Sequence, residues 1–279
     1  MQPDDIAALT PGAVSDLSPD QVSNLPPEAI QGFTGDQISN LADEAVAAFV
    51  PQQVKQLSAE AVSGLSESQV GELSPSAVKA FTADQVSALV PKAMQSISAD
   101  QLQRLSDDAV AAFIPQQVRK LPADAFSGFS KSQVAELSPR AVKGFNADQV
   151  EQLPTRAFKA LESDQLAKLS KDALSGLTTA QLRSFSGEEL AVFNPKKIKS
   201  IAPDAISGLK TAALDGLSKR QVKALTNDQL AGLSRKQIQK ADDFIDLLSN
   251  QQLDQLSFDP GSLNRQSRLV DSMDQQDDL

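Results

Sequence analysis

The side chains that could do chemistry in this sequence are carboxylates, carboxamides and cations, because its 279 residues include no Cys, His, Trp or Tyr. A thiolate nucleophile, a zinc-thiolate site, a disulfide, an imidazole base and a His-ligated metal are therefore excluded. Adjacent carboxylates such as Asp107 and Asp108 could suggest acid–base catalysis or calcium binding. No Asp-x-Asp-x-Asp-Gly loop is present, and neighbouring helix positions point apart, so we interpret these acids as solvated residues of a helix first turn.

Carboxamides form a more regular series, since a Gln recurs at every sixteenth position from Gln21 to Gln181. Such a series could present a polar ladder to an extended partner. The alternative is local: a Gln three positions after a Ser or Thr closes a capping box at a helix N-terminus. We favour the capping interpretation.

Cations concentrate in one stretch of an otherwise acidic chain, whose net charge is −10. Residues 1–100 carry thirteen acids and three bases, residues 101–240 fourteen acids and twenty-one bases, and residues 241–279 nine acids and two bases. The candidate binding residues, for a protein partner or for self-association, are Lys196, Lys199, Lys197, Lys219, Arg220, Lys223, Arg235 and Lys236. The charge asymmetry allows head-to-tail contact, in which an acidic N-terminal end meets basic octads of a neighbour. Nucleic acid is disfavoured as a partner, because stacking Trp and Tyr are missing and the net charge is negative.

These side chains are positioned by a repeat with a period of eight. Leu, Phe or Ile recurs at every eighth position from Leu9 to Leu233, so residues 1–240 form thirty octads without an insertion. We label the octad positions a to h, with this apolar residue at a; the consensus is Leu-Ser-Pro-Asp-(Ala or Gln)-Val-x-x. All fourteen prolines of residues 1–240 fall at b or c, and position c directly follows a Ser or Thr in many octads. That placement is typical of proline in the first turn of a helix that a Ser or Thr caps.

Each octad therefore predicts a cap, about one and a half turns of helix, and a bend. Eight of the thirteen glycines are at h, where a short helix ends or a neighbour comes close. Position e alternates between Ala and Gln as far as Ala173 and Gln181, which predicts a sixteen-residue unit of two octads, built from two antiparallel helices. We expect the Gln octads to face solvent more than the Ala octads.

The fold class that follows is all-α: an α-solenoid superhelix of very short helices, in which only stacked octads are stable. We predict an octad-repeat solenoid over 1–240, a C-terminal helical cap over 241–258, where the register slips by one, and a flexible acidic tail over 259–279. No apolar run is long enough to span a membrane, and the residues after Met1 do not resemble a signal peptide.

Four segments, LSPDQVSN, LPPEAIQG, LSPSAVKA and LSPRAVKG, resemble the tandem octads of mesothelin, stereocilin and otoancorin. The resemblance covers the repeat and implies a superhelical all-α protein used in extracellular adhesion or matrix attachment. It favours an extracellular or cell-surface location, with the cytoplasm as the alternative.

The sequence thus predicts a non-enzymatic structural or protein-binding repeat protein, used in surface adhesion or as a self-assembling scaffold. The alternative is an intracellular scaffold that binds a protein partner along its concave groove. We expect no cofactor and no metal, and a partner that is a protein or a second copy of the chain.

Overall fold

The structure, a computed structural model, describes residues 1–258, and all regular secondary structure in that range is helical. Its helices are four to six residues long, one for each octad. The predicted fold class is therefore confirmed. The predicted tail, 259–279, lies outside the described residues.

The chain divides into two compact units, Met1–Leu169 and Ser170–Leu279, of which the second is described as far as Phe258. The α-helices and the short 3₁₀ helices (η) of the first unit are α1 (Pro3–Ala7), α2 (Pro11–Ser15), α3 (Pro19–Ser23), η1 (Pro27–Gly32), α4 (Gly35–Asn40), α5 (Asp43–Ala47), α6 (Pro51–Val54), α7 (Ala59–Ser63), α8 (Glu67–Glu72), α9 (Pro75–Val78), α10 (Ala83–Ala88), η2 (Pro91–Ser96), α11 (Ala99–Arg104), α12 (Asp107–Ala111), α13 (Pro115–Lys120), η3 (Asp124–Gly128), α14 (Lys131–Glu136), α15 (Pro139–Val142), α16 (Ala147–Gln152), α17 (Thr155–Phe158) and α18 (Ser163–Leu166).

The helices of the second unit are α19 (Lys171–Ser175), α20 (Thr179–Leu182), α21 (Gly187–Ala191), α22 (Pro195–Ile198), α23 (Pro203–Ile206), α24 (Thr211–Asp215), α25 (Lys219–Ala224), α26 (Asn227–Ala231), α27 (Arg235–Ile238), α28 (Asp242–Leu247) and α29 (Asn250–Leu253). The last two lie in the segment predicted as a helical cap.

Helices begin where the caps were predicted. At α8, Ser66 is extended, its hydroxyl accepts a hydrogen bond from Gln69 N at 3.1 Å, and its own N–H donates to Gln69 Oε1 at 2.9 Å. Each helix ends in a tight turn, as where Leu73 N donates to Val70 O, and the residue at a then becomes extended. The chain thus changes direction once in every octad, because an extended residue separates each helix from the next cap.

Helix packing follows a period of three octads. Helix α4 packs on α7, α5 on α8 and α22 on α25, so within each unit a helix packs mainly on the third helix after it. The sequence predicts a stacking unit of two antiparallel helices, whereas the contacts between helices recur every three octads. We call three consecutive octads one coil. The two-octad period remains visible at position e, because Ala and Gln at e make different contacts with the preceding coil.

The core is made of positions a, e and f. Val, Ile or Leu at f is essentially inaccessible, as at Val54 and Val118, and the Phe rings at a are interior, as predicted. Phe126 packs edge-on against Phe129 and Phe145, with ring centroids 5.1 and 5.0 Å apart.

Glutamine at e is the largest departure from expectation. The nine Gln side chains from Gln37 to Gln165 are at most 5% exposed, so the prediction that Gln octads face solvent is wrong for the residue that defines them. Residues at h of these octads, such as Glu72 and Lys120, do lie in solvent.

Each of these nine glutamines makes the same three contacts. Its Oε1 accepts from the N–H of its own N-cap residue at 2.7–3.0 Å, which confirms the capping interpretation. Its Nε2 donates at 2.6–3.0 Å to two main-chain carbonyls, 31 and 28 residues earlier, at position f of the fourth preceding octad and at the a residue that follows it. We call this series the glutamine ladder. Because it is internal, it cannot bind an extended partner.

Glycine at h serves close packing and not a left-handed helix end, since no residue of 1–258 has a positive φ. A methyl group on Gly128 would lie 2.1 Å from the carbonyl oxygen of Ala99, in the helix beneath it. Around Gly12, by contrast, no atom lies within 4 Å of the corresponding point.

We predict that Gln117→Glu lowers the free energy of unfolding by about 3 kcal/mol or more, since it buries a carboxylate against the carbonyls of Val86 and Leu89. The matched control is Gln21→Glu, because Gln21 also caps its helix but is exposed and donates to no carbonyl. Urea unfolding followed by circular dichroism measures both. Equal losses in the two variants would contradict a stabilising role of the ladder.

We predict that Gly128→Ala lowers stability by about 1–3 kcal/mol, because the added methyl group collides with backbone. Gly12→Ala should be neutral or stabilising, as Ala favours a helix and meets no neighbour. Thermal melting of the two single variants tests this, and a neutral Gly128→Ala would be inconsistent with the close approach.

Candidate binding surface on the second unit

Four of the predicted cations come together on two packed helices. Lys196 and Lys199 occupy positions d and g of the α22 octad, and Arg220 and Lys223 occupy the same positions of the α25 octad. Positions d and g are separated by three positions and so lie on one side of a helix. Because α22 packs on α25, these exposed side chains form one surface, which we call the basic face.

No described residue forms an ion pair with the four cations of the basic face. Like charges on adjacent helices repel one another and create a positive potential outside the surface. An approaching anionic group relieves that repulsion, so the basic face is suited to bind acidic groups, and more strongly at low salt.

The other four predicted residues do not occupy positions d or g of the α22 and α25 octads. Lys197 is half-buried at position e, where nearly all other octads carry Ala or Gln, and its N–H donates to Asn194 Oδ1 at 3.0 Å. Lys219 is exposed at c of the α25 octad. Arg235 and Lys236 are exposed on α27, which packs against α24 and α28. The eight residues therefore do not make a single site.

Two concavities flank the basic face. One, of about 400 Å³, is lined by Arg220 together with Phe193, Asn194 and Pro195. The other, of about 560 Å³, is lined by Lys219 and Lys223 on α25 and by Asp246 and Leu248 at α28. The basic face thus lies between two shallow grooves that each offer apolar and polar contacts.

An acidic element borders the larger concavity, and its capping was not predicted. Helix α28 begins after Ala241, which has no capping side chain. Asp215, at the end of α24, supplies the cap from another octad by accepting a hydrogen bond from Phe244 N at 3.2 Å. The sequence does carry a signal for this cap from elsewhere, because no Ser, Thr, Asp or Asn directly precedes α28.

Burial raises the pKa of the Asp215 carboxyl, the charges of Asp243 and Asp242 raise it further, and the hydrogen bond from Phe244 N–H opposes them. A raised pKa means that the folded chain holds this proton more tightly than the unfolded chain. The contribution to stability is therefore greatest below the ordinary Asp pKa of about 3.9 and is lost as the pH rises through the raised value.

Within residues 1–258, no group of three acidic side chains is placed to hold a metal ion. Asp107 and Asp108 lie in the exposed first turn of α12, as predicted, where Asp107 Oδ1 accepts from Ser132 Oγ at 3.2 Å. None of the described helices is long and apolar enough to cross a membrane.

No protein-family model matches the chain, and no curated protein is significantly similar to it. Among solved structures, it is similar to a designed armadillo repeat protein, YIII(Dq.V1)4CPAF, in complex with the peptide (KR)4. The similarity covers 83% of this chain and 99% of that one, with 15% sequence identity and a TM-score of 0.19.

We predict that Asp215→Asn increases protection of the Phe244 amide at pH 7, because Asn keeps the acceptor and removes a disfavoured charge. Asp215→Ala should reduce protection by about 1 kcal/mol, the usual effect of losing a cap. Amide hydrogen exchange at pH 7 and pH 3 measures both. The advantage of Asn over Asp should vanish at pH 3, and its persistence there would contradict the role given to the charge.

Proposed function

We propose that this chain is a non-enzymatic structural or protein-binding repeat protein, and that the basic face binds an acidic surface of a protein partner. The observation that carries the proposal is the grouping of Lys196, Lys199, Arg220 and Lys223, exposed and without ion-pair partners in the described chain, on two packed helices.

Protein fits this face better than nucleic acid does. Single-stranded nucleic acid binding relies on stacking aromatic side chains beside the cations, and the sequence contains no Trp or Tyr. Duplex binding requires a positive field over a long stretch of surface, whereas the overall net charge here is −10. A short acidic segment needs only the few cations of α22 and α25.

The regularity of the chain supports a scaffold role. The octads are built by one scheme of caps and packing, while their exposed charges differ from one unit to the other. The resemblance to mesothelin-type octads supports a surface or matrix setting, in which such a scaffold would join proteins. Binding along a groove inside the cell is the second candidate, favoured by the concavity of about 560 Å³ beside the basic face.

We predict that a fluorescent oligoglutamate peptide binds the full chain at low salt and is released as salt increases, as measured by fluorescence anisotropy. Arg220→Ser with Lys223→Ser should weaken binding at least about tenfold, because two of the four cations are removed. The matched control is Lys55→Ser with Lys79→Ser, which removes the same charge from the first unit.

The proposal fails if the peptide does not bind at low salt or if the control variant loses as much affinity as the variant of the basic face. A duplex DNA oligonucleotide of equal charge provides a third arm, and its tighter binding would replace the protein partner by nucleic acid.

A further inference from the structure

The first coil of the first unit has a face that every later coil buries. Leu9, Leu17 and Leu25 are half-exposed at position a, whereas the a residues from Phe33 to Leu169 are at most 5% exposed. Ala13 at position e is exposed, while the alanines at e from Ala29 to Ala157 are inaccessible to solvent.

The same face carries an unused member of the glutamine ladder. Gln21 caps α3 as the others cap their helices, with Oε1 accepting from Ser18 N at 2.8 Å. Its Nε2 donates to no described residue, and its side chain is exposed. The Gln21 carboxamide is thus a donor among apolar residues. The corresponding Nε2 of Gln37 donates to Ile6 O and Leu9 O at 2.9 and 3.0 Å.

The ladder itself defines the complement of this face. Every buried glutamine of the first unit is matched by two carbonyls, at a position f and at the position a that follows it, with the apolar a residues packed around them. The fitting occupant is therefore the carbonyl side of another octad coil. This chain also carries such carbonyl pairs without a side-chain donor: Leu230 and Leu233, and Ile238 and Ala241, accept no side-chain amide among the described residues, and Leu230 O and Ile238 O accept only main-chain N–H groups.

Charge favours the same pairing. The first coil exposes Asp4, Asp5, Asp16 and Asp20 and contains no Lys or Arg. Around α26 and α27, next to these carbonyls, Arg235, Lys236 and Lys240 are exposed together with one acid, Asp228. Asp242 and Asp243 come next along the chain, in the first turn of α28, where the helix dipole offsets their charge.

We propose that the exposed face of α1–α3 docks on the α26–α27 region of a second copy of this chain, with the Gln21 carboxamide donating to main-chain carbonyls there. The contact joins two different surfaces, so each bound copy leaves one of each surface open. Such heterologous contacts add further copies in series, into a closed ring or an open filament. This inference is independent of the basic face, since it uses neither α22 nor α25.

Sedimentation velocity of the full chain at low salt, over a range of concentrations, tests the proposal. We expect a series of species that grows with concentration. Gln21→Glu should weaken association at least about tenfold, because it replaces the donor by a carboxylate facing carbonyls. Its circular dichroism and melting temperature should not change, since Nε2 of Gln21 makes no bond within the described chain.

The matched control is Gln52→Glu, the same chemical change at an exposed position of α6 outside this face. It should associate as the unaltered chain does. Mixing the Gln21→Glu variant with the unaltered chain should shorten the assemblies, because the variant keeps an intact α26–α27 surface and adds an end that cannot be extended.

Arg235→Glu with Lys236→Glu should weaken association from the opposite side of the contact. A chain that stays monomeric at the highest concentration and lowest salt overturns the proposal. Association of Gln21→Glu equal to that of Gln52→Glu overturns it as well. A dimer that does not grow further would replace the serial contact by a closed one and would also contradict it.

Discussion

The structure depends on the carboxamide of glutamine at the third position of a very short helix. Such a helix satisfies few of its own main-chain groups, since the first four N–H groups and the last four carbonyls of any helix have no intrahelical partner. The glutamine side chain provides partners for main-chain groups at both kinds of helix end. Its oxygen satisfies a donor at the start of its own helix, and its nitrogen satisfies two acceptors at the end of a helix one coil below. Neither a Ser cap nor apolar packing alone could do the second task.

Alanine octads contact the preceding coil through close backbone packing instead of a glutamine hydrogen bond. Their e residue carries only a methyl group, and their h residue is small, so the end of one helix reaches the start of the helix three octads earlier. At Gly128 the approach leaves no room for a side chain, and at Ser96 the hydroxyl instead donates to Glu67 O at 2.5 Å. Alternation of the two octad types therefore alternates two kinds of contact between coils: a buried hydrogen bond to the fourth octad back and close backbone packing on the third. Both act across coils, which is why a single octad cannot fold alone.

The contacts within one octad could be predicted from the sequence, and the contacts between coils could not. Caps such as Ser66 with Gln69, the proline positions and the buried residues at a and f follow from spacing within one octad. The number of octads in a coil does not, because a strict repeat of eight is compatible with a contact at any multiple of eight. The chain alternates over two octads yet packs over three, and only contacts between helices, such as that of α4 with α7, reveal the larger step. The candidate surface was also predictable only in part. The cations of α22 and α25 meet because their octads are three apart, whereas Arg235 and Lys236 lie on α27, which packs on α24 and α28. The cap that Asp215 provides to α28 comes from 29 residues away, which no local pattern encodes.

Stability and surface chemistry are consequently carried by different positions of the octad. Positions a, e and f are committed to the core and the ladder, b to capping and h to the close approach in the Ala octads. Positions d and g are mostly exposed, and at d the contacts between coils are peripheral ones, as where Ser132 Oγ donates to Asp107 Oδ1. Acids occupy d through the first octads, as at Asp20, Glu28 and Asp36, whereas α22 and α25 carry cations at both d and g. Because the backbone at these sites is the same, the sign of the charge alone distinguishes the two surfaces. A repeat protein built in this way can change what it binds through substitutions at d and g while its helices, caps and ladder stay as they are.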